Sequence, residues 1–205
     1  MPDAWEINDV FGLEPELLTM LPQPVLGLML LFPITSQHRE HCQAHPPSSP
    51  LPPSLYYMKQ TVSNACGTVA LLHLLANGRS SGRLLLPPSS PLEAFLSSTS
   101  ALSPQERAAA LECDEAIVRC HDAAAKEGQT APPALDEKVD LHYVALVEAD
   151  GQVWELDGRR EGAVASGSCG EGEFLEKAAG VCKGYMGRGE GSLQFTVLAL
   201  TARMD

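Results

Sequence analysis

The spacing of apolar positions along this chain changes several times, and each change marks an element. VLGLMLLF (Val25–Phe32) is apolar at nearly every position and lies between Pro24 and Pro33, which predicts a strand buried on both faces. PELLTMLP (Pro15–Pro22) predicts a short helix bounded by prolines. From Asn64 to about Asn77 the pattern is helical and apolar nearly all round, so a central buried helix is expected, with Ser63 or Asn64 as N-cap and Gly78 past its end. SPQERAAALECDEAIVRCHDAAAKEG is apolar on one side only. There Ser103 caps, Pro104 takes the first helical position, Glu106 completes a capping box and Gly128 follows the end, which predicts one amphipathic, peripheral helix. LHYVALV (Leu141–Val147) and QVWEL (Gln152–Leu156) predict strands joined through EADG, where Asp150-Gly151 signals a hairpin. LQFTVLAL (Leu193–Leu200) predicts the last strand. Buried helices with a mostly antiparallel sheet make an α+β sandwich.

Two stretches lack any period. HPPSSPLPPS (His45–Ser54) can neither pack a core nor continue a helix, so it reads as an exposed, semi-extended linker. The segment before it is too small to fold alone, so the expectation is one domain over residues 1–205, with this linker inside it. TAPPALDEKVD (Thr130–Asp140) is loop-like as well.

Composition narrows the function classes. The chain has 205 residues, 44% of them hydrophobic, enough for a real core. Its 14 basic and 26 acidic residues give a net charge of −12, which argues against a nucleic-acid partner and favours a basic or neutral one. The longest apolar run is too short to span a bilayer, and Asp3, Glu6, Asp9, Glu14 and Glu16 before it spoil a signal peptide. The six cysteines form no C-x-x-C pair, so reduced thiols in the cytoplasm are expected.

Cys66 falls in the first turn of the buried helix, where unpaired N–H groups and the macrodipole favour a thiolate. A nucleophile also needs a base. If Asp150-Gly151 form a two-residue loop, His142 lies opposite Arg159, and Asp157 sits diagonally on the same face; a four-residue loop keeps them on one face, and only an odd-length loop separates them. That arrangement is a nucleophile, a base and an orienter of the base. The Gln60 side-chain amide and the Cys66 backbone N–H are candidate donors to a developing oxyanion. A lone cysteine on an apolar helix is usually a packing residue, and so Cys113, Cys120, Cys182 and His73 are read. HREHCQAH matches no usual zinc-ligand spacing, and GRGEGSLQ has glycines but no strand-to-helix setting and no P-loop lysine.

YYMKQTVSNACGTVALLHLLAN, EGQTAPPALDEKVDLHYVALVEADG and WELDGR resemble the signature segments of the ubiquitin C-terminal hydrolases, specifically the short single-domain isozymes of that cysteine peptidase family. FGLEPELLTMLPQPVLGLMLLFPIT and LSPQERAAALECDEAI extend the likeness from about Trp5 to Leu200. The resemblance implies a papain-like architecture and a monomeric thiol hydrolase that cleaves small adducts or peptides from the C-terminal glycine of ubiquitin or a ubiquitin-like protein, without metal or cofactor. It makes Cys66 the nucleophile, His142 the general base and then acid, Asp157 its orienter and Gln60 an oxyanion donor. It also implies a loop crossing the site at about residues 125–139, with ubiquitin contacts near Glu127, Gly128 and Gln129. Three departures stand out. The chain starts at MPDAWEINDVFG, so the resemblance implies a shortened front end, and with it the alternative of a ubiquitin-binding module that no longer turns over. The Pro/Ser linker replaces a charged insert, and REGAVASGSCGEGE after ELDGR is small and flexible, which predicts looser packing beside Asp157.

Overall fold

The apolar run at Val25 is central because both its faces find partners. In the computed structural model, which describes residues 4–127 and 140–204, the elements run β1 (Trp5–Asp9), α1 (Pro15–Leu18), β2 (Val25–Pro33), α2 (Ser36–Ala44), α3 (Cys66–Ser80), α4 (Pro91–Thr99), α5 (Pro104–Cys113) and α6 (Glu115–Glu127). They continue with β3 (Leu141–Ala149), β4 (Gln152–Leu156), β5 (Val164–Ser168), α7 (Phe174–Gly187) and β6 (Thr196–Ala202). The strands form one sheet in the order β1-β6-β2-β3-β4-β5, every neighbouring pair antiparallel. None of the described helices is long and apolar enough to cross a membrane.

Strand alternation sorts the core into two layers. Leu28, Leu30 and Phe32 of β2 and Val144 and Leu146 of β3 face α7, meeting Phe174, Ala178, Cys182 and Tyr185. Met29, Ala145 and Val147 face the other way, onto Ala70, Leu74 and Leu75 of α3. The far side of α3 is covered in turn by Phe95, Leu96 and Leu111 from α4 and α5, with Tyr56 and Met58. Helix α3 is therefore apolar all round because it is the middle layer, and each fully buried leucine in it contributes roughly 1.5–3 kcal/mol.

The hairpin closes as its turn dipeptide predicts. Asp150 and Gly151 both take positive φ, at 49° and 70°, and Ala149 pairs with Gln152 and Ala145 with Leu156.

Elsewhere the structure corrects the pattern reading. The helix from Pro104 is two helices, because Asp114 is extended and its carboxylate caps α6 through the N–H groups of Ala116 and Ile117. The Pro15 helix is a single turn, and the last strand begins at Thr196, three residues after the exposed Leu193. Strands β1 and β5 and helix α2 carry no period strong enough to announce them; helices α4 and α7 are further elements beyond the pattern reading, although Phe174, Ala178, Cys182 and Tyr185 of α7 recur at helical spacing. The stretch after Arg160 is not merely flexible: β5 pairs with β4 there. The Pro/Ser linker is fastened at Ser48, whose N–H donates to Ala163 O and whose hydroxyl accepts from Ala165 N, both at 2.9 Å, so it blunts the exposed edge of β5. Cys182 is a packing residue as expected, whereas Cys113 and Cys120 are exposed, since only part of each amphipathic helix faces the core.

Candidate active site

Helix α3 begins at Cys66 itself. Neither Ser63 nor Asn64 caps it; Asn64 turns the chain at φ 58°, Ala65 occupies the cap position, and no side chain bonds the first turn. The first intrahelical bond is Val69 N–H to Ala65 O at 2.9 Å, so the N–H groups of Cys66, Gly67 and Thr68 have no acceptor within the helix. Leaving this start uncapped keeps its donors for something else.

His142 sits at the beginning of β3, 1% exposed, with its Nε2 donating to Asp157 Oδ1 at 2.6 Å. The two are diagonal across the hairpin, as the turn geometry predicts. Asp157 Oδ1 also accepts from Arg159 N–H at 2.9 Å, and Asp157 O accepts from the Tyr57 hydroxyl at 2.9 Å. Phe32, opposite His142 in the register, presents its ring edge-on to the imidazole at 5.8 Å. His142 Nδ1 is buried and completes no hydrogen bond, which leaves it as the nitrogen available to sulfur.

The electrostatics follow from these contacts. Burial pushes the Cys66 thiol up, but His142, the backbone N–H of Tyr143, the imidazolium charge and the backbone N–H of Gly67 outweigh it and hold the thiol below its ordinary value. Burial lowers His142, yet its hydrogen bond to Asp157, the neighbouring Cys66 thiol and the Asp157 charge bring it above the ordinary range. Burial raises Asp157, and its bonds to His142 and Arg159 N–H win, so the carboxylate stays ionised.

Gln60 lies on the extended segment that crosses α3. Its N–H donates to Gly158 O at 2.8 Å, its amide nitrogen donates to Val62 O at 3.1 Å, and its Oε1 is buried without a partner. One amide hydrogen remains for a ligand. Glu127 is the last residue of α6, so the stretch expected to cross the site from residue 125 is helical as far as 127; Gly128, Gln129 and the rest to 139 lie outside the described residues. Among the described residues no three His, Cys, Asp or Glu side chains gather as a metal site. In α2, His38 Nε2 meets Cys42 Sγ at 3.3 Å, while His41 and His45 stack on each other at 4.0 Å.

The residues that aim this segment escaped the pattern reading. Asn77 accepts from Tyr56 N at 2.8 Å and donates to Tyr56 O at 2.9 Å, and His73 Nε2 accepts from Met58 N at 3.1 Å. Two polar side chains one turn apart thus act as a surrogate strand for the backbone leading to Gln60. Their spacing in an otherwise apolar helix, His73 and Asn77, is the signal that marks them.

Residues 1–187 match the family model "Ubiquitin carboxyl-terminal hydrolase, family 1". The chain belongs to this family, the cysteine-type deubiquitinating hydrolases. It is 43% identical over 204 residues to a ubiquitin carboxyl-terminal hydrolase of Drosophila melanogaster, covering 97% of this chain and 88% of the relative. It is 40% identical over 199 residues to isozyme L1 of Sus scrofa, covering 96% and 87%. Among solved structures, the catalytic domain of Trichinella spiralis UCH37 bound to ubiquitin vinyl methyl ester superposes with a TM-score of 0.77 at 23% identity, over 98% of this hydrolase and 86% of that chain. That likeness bears on fold, and the fold of this hydrolase is the papain-like α+β sandwich the sequence segments implied.

Proposed function

We propose that this hydrolase cleaves small adducts or peptides from the C-terminal glycine of ubiquitin, with Cys66 as nucleophile, His142 as base and acid, and Asp157 as orienter. The observation that carries the reading is the buried His142–Asp157 bond, which leaves Nδ1 unpaired beside a thiol held low at an uncapped helix start.

The Cys66 sulfur attacks the glycine carbonyl carbon, and the carbonyl oxygen gathers negative charge where the Cys66 N–H and the free Gln60 amide hydrogen are donors. The imidazolium of His142 gives its proton to the leaving amine, and a thioester remains. His142, neutral again, takes a proton from water, whose oxygen attacks the thioester; carboxylate leaves and the thiol is restored. Asp157 keeps the Nε2–H tautomer throughout, so that Nδ1 serves the sulfur. A net charge of −12 suits the basic tail and face of ubiquitin, and six free thiols suit action in the cytoplasm.

A ubiquitin bearing a C-terminal electrophile tests the reading. Covalent capture of the chain, abolished by Cys66→Ala while the circular dichroism spectrum is unchanged, is the expected result. Reversible binding without capture would make the chain a binding module instead.

A further inference from the structure

Of the two arginines after Asp157, Arg159 is exposed and Arg160 turns inward. Arg160 Nη1 donates to Cys42 Sγ at 3.3 Å, and Nη2 donates to Cys42 O at 3.4 Å and to His45 O. All three acceptors belong to the C-terminal end of α2. The sequence explains why the Cys42 carbonyl is free: four residues beyond it stands Pro46, which has no N–H to offer. A guanidinium there satisfies an orphan acceptor and sits favourably against the negative end of the helix dipole.

The backbone of the same residue is held from the other side. Arg160 N–H donates to Asp157 O at 3.0 Å, while Arg160 O accepts from Lys59 Nζ at 2.7 Å and lies 2.5 Å from the Tyr57 hydroxyl, whose one proton it shares with Asp157 O. The four-residue turn Asp157–Arg160 is therefore clamped between α2 and the segment Tyr57–Lys59, and Asp157 is its first residue.

We propose that Arg160 is a positioning residue for the Cys66–His142 pair, acting through Asp157 by fixing the turn that presents the carboxylate to Nε2. The role rests on the proposed function for its catalytic meaning, though not for its physical content. A half-buried side chain with a rigid fork of donors suits the task, because three fixed acceptors define its plane. Among the described residues, the charged and titratable groups facing the pair are Asp157 and Arg159 around His142 and Tyr143 beside Cys66, with Tyr57 and His38 of α2 facing Asp157. His38 is held neutral near neutral pH by burial, its pKa lowered to about 4, so it does not replace Arg160 electrostatically.

The measurement is the pH dependence of Cys66 alkylation by iodoacetamide in the full chain, read on the Cys66 peptide by mass spectrometry so that the exposed Cys113 and Cys120 do not interfere. A slackened Asp157 supports the imidazolium less, and the thiolate paired with it becomes scarcer. Arg160→Ala should slow Cys66 alkylation near pH 7 and move its titration to higher pH, and should lower kcat/KM about 10- to 100-fold, the cost of displacing a site by roughly 1 Å. In an Asp157→Asn background the same substitution should change neither quantity further. Arg160→Lys, which keeps the charge and stem but not the fork, should fall between and serves if the alanine variant does not fold. A wild-type alkylation profile in a folded Arg160 variant, or an undiminished effect beside Asp157→Asn, would overturn the assignment. Shifted alkylation in a chain without turnover would reject the proposed function and leave the positioning role standing.

Discussion

Gly158→Ala is the sharpest steric test of how the site is held together. Gly158 does not occupy the left-handed region, so alanine meets no backbone strain, and the outcome depends on space alone. An added Cβ would lie 2.8 Å from Gln60 Cβ, 3.0 Å from Val69 Cγ1 and 3.2 Å from Gln60 N. The first contact is roughly 0.7 Å inside the near limit of ordinary carbon separations. The Gln60 atoms have little room to retreat, because Gln60 N–H is bonded to Gly158 O at 2.8 Å. Overpacking of this kind costs about 1–3 kcal/mol, and parting the two segments leaves that buried amide unsatisfied for about 1–3 kcal/mol more. For a chain of this size, at about 2–4 °C per kcal/mol, the melting temperature should drop by roughly 4–24 °C. Activity should fall further than stability, since the same insertion pushes Gln60 one way and Asp157 the other; a shift of about 1 Å is worth roughly 100-fold in rate. Turnover of a fluorogenic ubiquitin C-terminal amide well below the melting transition, beside a thermal melt, reads both. A variant with wild-type kcat would refute the claim that this contact sets the spacing of the two sides.

Asp157→Asn keeps a hydrogen-bond acceptor but loses the charge, so kcat should fall by about 10²- to 10⁴-fold with ubiquitin affinity nearly unchanged; equal losses in both would contradict an orienting role. Gln60→Ala should lower kcat by about 10²-fold with little effect on KM, and a change in KM alone would remove Gln60 from the oxyanion site. Stability should decline in mild acid. His73, fully buried, and His38 are each lowered by burial from 6.5 to about 4, so the unfolded chain takes up protons below about pH 6.5 while the native state refuses them until about pH 4. His73 alone should cost about 2 kcal/mol of unfolding free energy between pH 7 and 5. Urea denaturation giving equal midpoints at the two pH values would show that these histidines are not held neutral.

Local pattern was informative wherever one residue's environment follows from its neighbours in the chain. The run at Val25, the dipeptide Asp150-Gly151 and the helix after Ala65 declare themselves, and the two-residue turn alone brings Asp157 to the face of His142, because strand register is arithmetic once the loop length is known. The segment likeness that named the family reached the same residues by another route. What local pattern could not supply was anything contributed from a distance. Strand β1 is a strand because β6 offers it an edge, and β5 because β4 does; a short stretch such as VASGS has no period of its own to reveal this. The cap of α3 departs from the local rule that a serine or asparagine near a helix start caps it, because here the donors are left open beside the His142 imidazole. The side chains of His73, Asn77 and Arg160 aim the site through bonds to backbone groups 15 to 118 residues away along the chain. Sequence therefore determined which side chains can do the chemistry and which elements carry them, since both depend on residue type and near neighbours. Tertiary structure decided which imidazole nitrogen Asp157 takes and what holds the carboxylate still, since those depend on acceptors and apolar surfaces that only the closed fold brings within a few ångströms.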